Sequence, residues 1–244
     1  GRVALVTGGG KGIGGAIAKD LAAAGAEVAV NYTRGADTAA AIVEEIITKD
    51  GKARAFEANV GSEEDVIRLF AEVREAFGPV DTLVNNAGVW HYESLENLTV
   101  DEYRRHYDVN VLGYLLTSRE FARQEEADGG AVVNLTSVGI HRPAPTTALY
   151  TGTKWAIVGM TQVLAMELAP RGIRVNAIAA GLVDTEGTRA SGFMGSPASE
   201  AYVKTIPLGR VGRPEDIAPV ATFLVSDDAR FITGDTVSPT GGQI

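Results

Sequence analysis

The sequence contains no cysteine, which removes disulfide staples and thiolate chemistry from consideration. Histidine is scarce. His91, His106 and His141 are the three, and their spacing fits no metal-ligand pattern. His106 is expected on a helix surface. Basic side chains are outnumbered, 22 against 31 acidic, for a formal net charge of −9. A surface of that sign suits neither nucleic acid nor an anionic membrane, both of which need clustered Lys and Arg. No apolar run approaches the roughly 20 residues that span a bilayer. The opening residues carry no signal-peptide pattern. These absences lead us to expect a cytoplasmic protein with no nucleic-acid or membrane partner. What is present is ordinary for a globular chain: 244 residues, 45% hydrophobic and 22% charged, long enough to bury a large core unaided.

Apolar runs alternate with helical spacing over most of the length. Strands are expected at Val3–Val6, Glu27–Tyr32, Ala53–Ala58, Thr82–Asn85, Ala131–Leu135, Arg174–Ile178 and Thr236–Ser238. Helices are expected at Gly14–Ala24, at Ala36–Lys49 and from a Ser62 cap to Phe77, with a long helical stretch over Thr99–Glu126. Short, wholly apolar strands read as buried on both faces, as parallel strands are. The β-α alternation implies one α/β domain over residues 1–244, a Rossmann-like, doubly wound sheet of seven parallel strands with helices on both faces. Glu186–Ser199, rich in Gly and Ser, is the one poorly patterned region. Residues 186–205 are expected to form a flexible loop over the substrate.

The first strand runs straight into TGGGKGIG, Thr7 to Gly14, with five glycines in eight residues. Strand, glycine turn and helix in that order make an anion site, because the first N–H groups of a helix are unpaired and glycine lets a phosphate approach the main chain. The glycines read either as Gly8, Gly12 and Gly14 or as Gly10, Gly12 and Gly15, and both readings point to a dinucleotide. The phosphate loop of nucleotide hydrolases fits poorly, since Lys11 is followed by Gly12 and not by Ser or Thr. The tip of the second strand selects the cofactor: an acid there holds the ribose 2′-OH of NAD, a cation the 2′-phosphate of NADP. The tip reads Asn31-Tyr32-Thr33-Arg34, with no acid, and Lys11 stands nearby in the glycine loop. NADP(H) is favoured over NAD(H).

Tyr150 and Lys154 lie four residues apart and so share a helix face. A tyrosine hydroxyl ionises near pH ~10, and a neighbouring ammonium favours the phenolate. Ser137 closes the fifth strand, and Asn85–Gly88 (NNAG) closes the fourth at the same edge, where ligands of such sheets sit. TGGGKGIG, NNAG, Asn110 in DVNVLG, Ser137 and Tyr150-xxx-Lys154 occur in the order typical of the short-chain dehydrogenases/reductases, and the chain resembles that family over essentially its whole length.

The resemblance implies an oxidoreductase that interconverts a carbonyl and a secondary alcohol. In it Tyr150 is the general acid/base, and Lys154 lowers its pKa and binds the nicotinamide ribose. Ser137 bonds the substrate oxygen, and Asn110 holds a water linking Lys154 to solvent. The cofactor would meet Gly8, Gly10, Lys11, Gly12, Ile13, Gly14, Tyr32, Thr33, Arg34, Asn59, Val60, Asn86, Ala87, Gly88, Tyr150, Lys154, Gly181, Val183 and Thr185. No metal is expected. Ala180 stands where the family usually has proline, so a looser loop is expected there, and Pro239-Thr240 also departs from the family pattern. The substrate cleft should take Ser137, Trp90, His91, His141, Tyr150 and Phe193, a mixture that suits a ketone or alcohol with apolar bulk. The chain is similar both to 3-oxoacyl-[acyl-carrier-protein] reductases and to glucose 1-dehydrogenases. A homotetramer is the assembly the resemblance implies. Two rivals remain. A Ser137–His141 hydrolase lacks the GxSxG elbow, and a non-catalytic NADP sensor would leave the complete catalytic set unexplained.

Overall fold

Parallel strands need helical crossovers, and the crossovers bury both faces of the sheet. In the computed structural model, which describes residues 1–243, seven strands obey that rule. They are β1 (Val3–Val6), β2 (Glu27–Tyr32), β3 (Lys52–Glu57), β4 (Thr82–Asn85), β5 (Ala131–Ser137), β6 (Arg174–Ala180) and β7 (Thr236–Val237). All pair in parallel, in the order β3-β2-β1-β4-β5-β6-β7. The helices are α1 (Gly12–Ala23), α2 (Ala36–Ile47), α3 (Glu63–Phe77), α4 (Val100–Tyr107), α5 (Gly113–Arg123), α6 (Ala148–Leu168), α7 (Glu186–Ala190), α8 (Pro197–Val203) and α9 (Pro214–Val225). Among the described residues, no helix is long and apolar enough to cross a membrane.

The chain winds outward from β1 through β2 and β3, returns to β4 beside β1, and then winds the other way. That reversal opens a crevice beyond the carboxyl ends of β1 and β4, where such sheets bind ligands. Alternate strand residues feed two cores. Ala4 and Val6 pack with Ile17 and Leu21 of α1 and with Ile217 and Leu224 of α9. Val3 and Leu5 pack with Val66 and Leu69 of α3 and with Phe121 of α5. This is a single doubly wound α/β domain, as its alternating apolar strands imply.

Ser62 caps α3 as expected, its hydroxyl accepting from the Asp65 N–H at 3.3 Å. The expected single helix over Thr99–Glu126 is instead two helices joined by a π-helical turn, Asp108–Leu112. Such turns insert one extra residue and re-aim a side chain, and the side chain turned inward here is Asn110, which is fully buried. β5 and β6 each run two residues past the expected end, because their backbone ladder continues through Ser137 and Ala180. The expected loop 186–205 holds two short helices. Thr185 caps α7 by accepting from the Thr188 N–H, and Ser196 caps α8 by accepting from the Ser199 N–H. Small residues gave this region no apolar period, while its caps supplied the structure.

Phe121 has 0% exposure where α5 meets the sheet. Phe121→Ala is expected to lower unfolding free energy by about 3–5 kcal/mol, with the denaturant m-value unchanged, as read by urea titration.

Candidate active site

Thr7 ends β1 and joins it to the loop after β4. Its hydroxyl accepts from the Asn86 N–H at 2.9 Å and the Ala87 N–H at 3.0 Å, and donates to the Val84 carbonyl at 3.3 Å. The Asn86 amide donates back to the carbonyls of Thr7 (2.9 Å) and Gly8 (3.1 Å). Two further bonds come from β2: Asn31 Oδ1 accepts the Gly8 N–H at 3.2 Å, and its carbonyl accepts the Gly9 N–H at 2.8 Å. Gly8 and Gly12 sit at φ +60° and +53°, the left-handed region that favours glycine. A Cβ on Gly14 would overlap the Asn86 amide and lie 2.5 Å from the Gly8 oxygen. Lys11, the N-cap of α1, makes no side-chain cap, so the first N–H groups of the helix are free to face a ligand.

This loop is one end of a cleft of about 590 Å³. Gly8, Lys11, Gly12, Ile13, Gly14, Asn86, Ala87, Gly88, Gly181, Val183 and Thr185 line it, with Ser137, Tyr150 and Lys154 in its floor and Trp90 and Phe193 in its walls. Other expected cofactor residues stand outside that lining. Gly10 packs against Ala39 of α2, where a Cβ would meet the Ala39 Cβ at 3.2 Å. Tyr32 packs on the α1-side core and Val60, 2% exposed, on the other. Asn59 folds onto its own turn, its Oδ1 accepting the Gly61 N–H at 3.1 Å. Thr33 donates to the Ala58 carbonyl at 2.9 Å. Arg34 is exposed beyond the tip of β2.

α6 carries both Tyr150 and Lys154, one helical turn apart. Lys154 is 5% exposed, and its ammonium donates to the Leu135 carbonyl at 2.9 Å. It lies 5.6 Å from the Tyr150 ring centre and 5.7 Å from that of Tyr114. Burial brings its pKa down to about 8. The Tyr150 phenol is pushed above its ordinary value, chiefly by burial and then by the Tyr92 hydroxyl, while a hydrogen bond with Ser137 pulls the other way. Lys154 is not among the groups that shift Tyr150 in this geometry, so the depression that the spacing implied does not appear and burial sets the direction. Ser137 Oγ accepts the Gly139 N–H at 3.1 Å. Asn110 brackets Val89, accepting its N–H and donating to its carbonyl, each at 2.8 Å, and donates to Thr153 Oγ1 at 3.1 Å.

All three histidine expectations need correction. His91 points away from the cleft into a separate cavity of about 120 Å³ with Glu93, Glu102 and Leu149, because Trp90 and Tyr92 on either side take the cleft face. His141 is exposed and outside the lining, and its neighbour Arg142 takes that place. His106, expected on a surface, is fully buried. The stretch after Ala180 is pinned as well. Gly181 N–H donates to the Pro239 carbonyl at 3.3 Å, and Gly212 exchanges 2.9 Å bonds with Leu182 and Asp184. Tyr92 and Tyr202 line the cleft where segments 89–97 and 185–202 were expected to bound it, whereas Thr7 and Asn31 carried no expected role. A polar residue at the end of an apolar strand was the available signal for both.

A lysine whose folded pKa lies near 8, against an ordinary 10.5, leaves the unfolded chain holding more protons between those values. Stability must rise with pH across that window, and the burden of the ammonium is full below it. Lys154→Met is therefore expected to gain most over the parent protein at pH 6–7 and to lose that advantage progressively from pH 8 to 10.5. Melting temperatures of the two proteins measured across that range check the sign.

The chain's residues 8–243 match a family model described as enoyl-(acyl carrier protein) reductase. An uncharacterized oxidoreductase of Methylorubrum extorquens is 47% identical over 242 residues, covering 99% of this chain and 97% of the relative. A 3-oxoacyl-[acyl-carrier-protein] reductase of Staphylococcus epidermidis is 40% identical over 241 residues, 98% of each chain. A short chain dehydrogenase from Burkholderia cenocepacia, solved in complex with NADP, superposes with a TM-score of 0.93 at 38% identity, covering 99% of this chain and 97% of that one. With this coverage and these identities, the chain belongs to the short-chain dehydrogenase/reductase family of oxidoreductases.

Proposed function

We propose that the protein is an NADP(H)-dependent oxidoreductase that interconverts a ketone and a secondary alcohol. The carrying observation is a single cleft that joins the glycine loop of α1 at one end to Ser137, Tyr150 and Lys154. The loop fits a dinucleotide: glycines stand where side chains would fill the space, and the uncapped N-terminus of α1 offers N–H donors for a pyrophosphate. Bound there, the cofactor supplies the hydride. Tyr150 hands its proton to the substrate oxygen as the carbonyl is reduced, and takes one back from the alcohol in reverse. A phenol that ordinarily ionises near pH ~10 carries its proton at neutral pH, as the reductive direction requires. Ser137 donates a hydrogen bond to the developing oxyanion. Lys154, close behind the tyrosine ring, binds the nicotinamide ribose, and its proton is restored from solvent through a water held at Asn110.

NADP(H) over NAD(H) is supported by Lys11 at the cleft rim, by Arg34 without an acid at the tip of β2, and by the NADP complex of the Burkholderia relative. The adenine end would rest on main chain near Asn59 and Val60, whose side chains are engaged elsewhere. Trp90, Tyr92, Phe193, Tyr202 and Arg142 bound the substrate end. The Staphylococcus relative favours a second reading, reduction of a 3-oxoacyl group on an acyl carrier protein. That reading needs a basic entrance. The substrate end of the cleft offers Arg142 alone, and of Arg104, Arg105 and Arg119 the last two are paired, with Glu102 and with Glu63 and Glu120, so we favour a small ketone. Exposed Trp155, Val163 and Met166 on α6 and Leu115 on α5 offer an apolar face for the expected homotetramer.

Tyr150→Phe is expected to reduce turnover at least 1000-fold, more than general acid–base catalysis alone contributes at its lower end of about 100-fold. NADPH affinity by fluorescence titration should stay within two-fold (about 0.4 kcal/mol). Turnover surviving the substitution would refute the role of Tyr150. Initial rates across ketones, sugars and acyl thioesters with both cofactors test the rest. kcat/KM should favour NADPH, and Lys11→Ala with Arg34→Ala should erase the preference.

A further inference from the structure

The wall of the cleft nearest Tyr150 is Val89–Glu93, a segment without helix or strand. Hydrogen bonds from its main chain hold it in place. Asn110 brackets Val89 at one end. At the other, Glu93 N–H donates to the Thr146 carbonyl at 3.0 Å. Midway, His91 N–H donates to Nε2 of His106 at 3.0 Å. The side chains alternate about this line. Trp90 and Tyr92 enter the cleft with ring centres 5.5 Å apart, and Tyr92 meets Tyr150 edge-on at 5.8 Å and 67°.

The state of His106 follows from its partners. Nδ1 lies 2.9 Å from the Glu102 carbonyl, which can only accept, so Nδ1 carries the proton. Nε2 faces an N–H donor and must offer its lone pair. Both bonds are satisfied by one neutral tautomer. A buried side chain with both ring nitrogens engaged fixes backbone position more tightly than an apolar residue of similar size.

We infer that His106 is a positioning residue for the substrate cleft: its neutral ring ties the midpoint of Val89–Glu93 to α4 and so sets Trp90 and Tyr92 against Tyr150. The inference rests on the proposed role of Tyr150, since it assigns this wall to the same site. It carries a consequence for acid. A proton added at Nε2 points at the His91 N–H, and the bond becomes a repulsion. The groups facing the ring from α4 are Glu102, with Oε2 3.4 Å from Nδ1, and Arg105. From the wall comes His91, itself 3.7 Å from Glu93. From α6, Leu149 borders the same small cavity and brings no charge. Burial, reinforced by Arg105 and His91, holds the ring below the ordinary histidine range against the pull of Glu102. The wall is therefore locked at neutral pH and released only below it.

The experiment uses Trp155→Phe protein, which leaves Trp90 as the sole tryptophan of two. Acrylamide quenching of Trp90 is followed from pH 7.5 to 5, and ketone kinetics with NADPH are measured beside it. With His106 present, quenching should step up on acidification. His106→Leu should be as quenchable at pH 7.5 as the parent is at pH 5. Its ketone KM should rise about five-fold, the scale of one net hydrogen bond, with NADPH affinity unchanged. His106→Gln, whose amide can both donate and accept, should restore the low KM and remove the pH step. A His106→Leu protein indistinguishable from the parent overturns the inference, as does a pH step that persists in His106→Gln. Should the leucine variant not fold, the pH step in the glutamine variant decides alone. If no ketone is turned over by the parent, the proposed function fails, while the quenching comparison still judges His106.

Discussion

The site hangs on one hydroxyl. β1 and β4 end side by side, and their chains then leave in different directions, one into the glycine loop and one into Asn86–Gly88. Left alone, that divergence would strand main-chain donors at the edge of the sheet, at about 1–3 kcal/mol for each buried orphan. Thr7 accepts two of them and donates a third bond back to β4. Asn86 returns two bonds to the carbonyls of the loop. The crevice is thus held open by bonds between strands that are not adjacent in sequence, and the glycine loop inherits its shape from them.

The same economy of polar groups continues below the cleft. Asn85 donates to Asn134 at 2.9 Å, and Asn134 donates to Thr161 of α6 at 3.0 Å. Thr136 donates to the Lys154 carbonyl at 2.8 Å. α6 is thereby attached to the sheet by directed bonds near the residues that matter, and its side chains have little freedom to slide. A buried ammonium with a carbonyl partner and two aromatic rings nearby remains an awkward guest, which is why its proton affinity falls.

Much of this was legible in the sequence. Val3–Val6, Glu27–Tyr32 and Thr82–Asn85 are bounded by turn residues on both sides, so their limits matched. Ser62 with three following acids announced α3. The spacing of Tyr150 and Lys154, with Ser137 at a strand end, located the floor of the cleft. What escaped notice depends on contacts far apart in the chain. The π-turn around Asn110 has no period of its own. The burial of His106 is decided by Val89–Glu93 crossing above α4, which nothing in YRRHYD declares. The helices α7 and α8 are five and seven residues long, one with a glycine inside and the other opening on Pro197, and α9 contains Pro219, so each hides behind residues that ordinarily mark loops.

Asn31 brings a practical corollary. Residues at the tip of β2 invite exchange whenever coenzyme preference is to be redesigned, since they stand beside the adenosine ribose in folds of this type. Here that tip is also a buttress: Asn31 reaches back to Gly8, and its amide nitrogen donates to the Ala58 carbonyl at 3.1 Å on the far side. Substituting it would loosen the pyrophosphate cradle together with any selectivity gained. Arg34, exposed one step beyond, is the place where the two properties come apart.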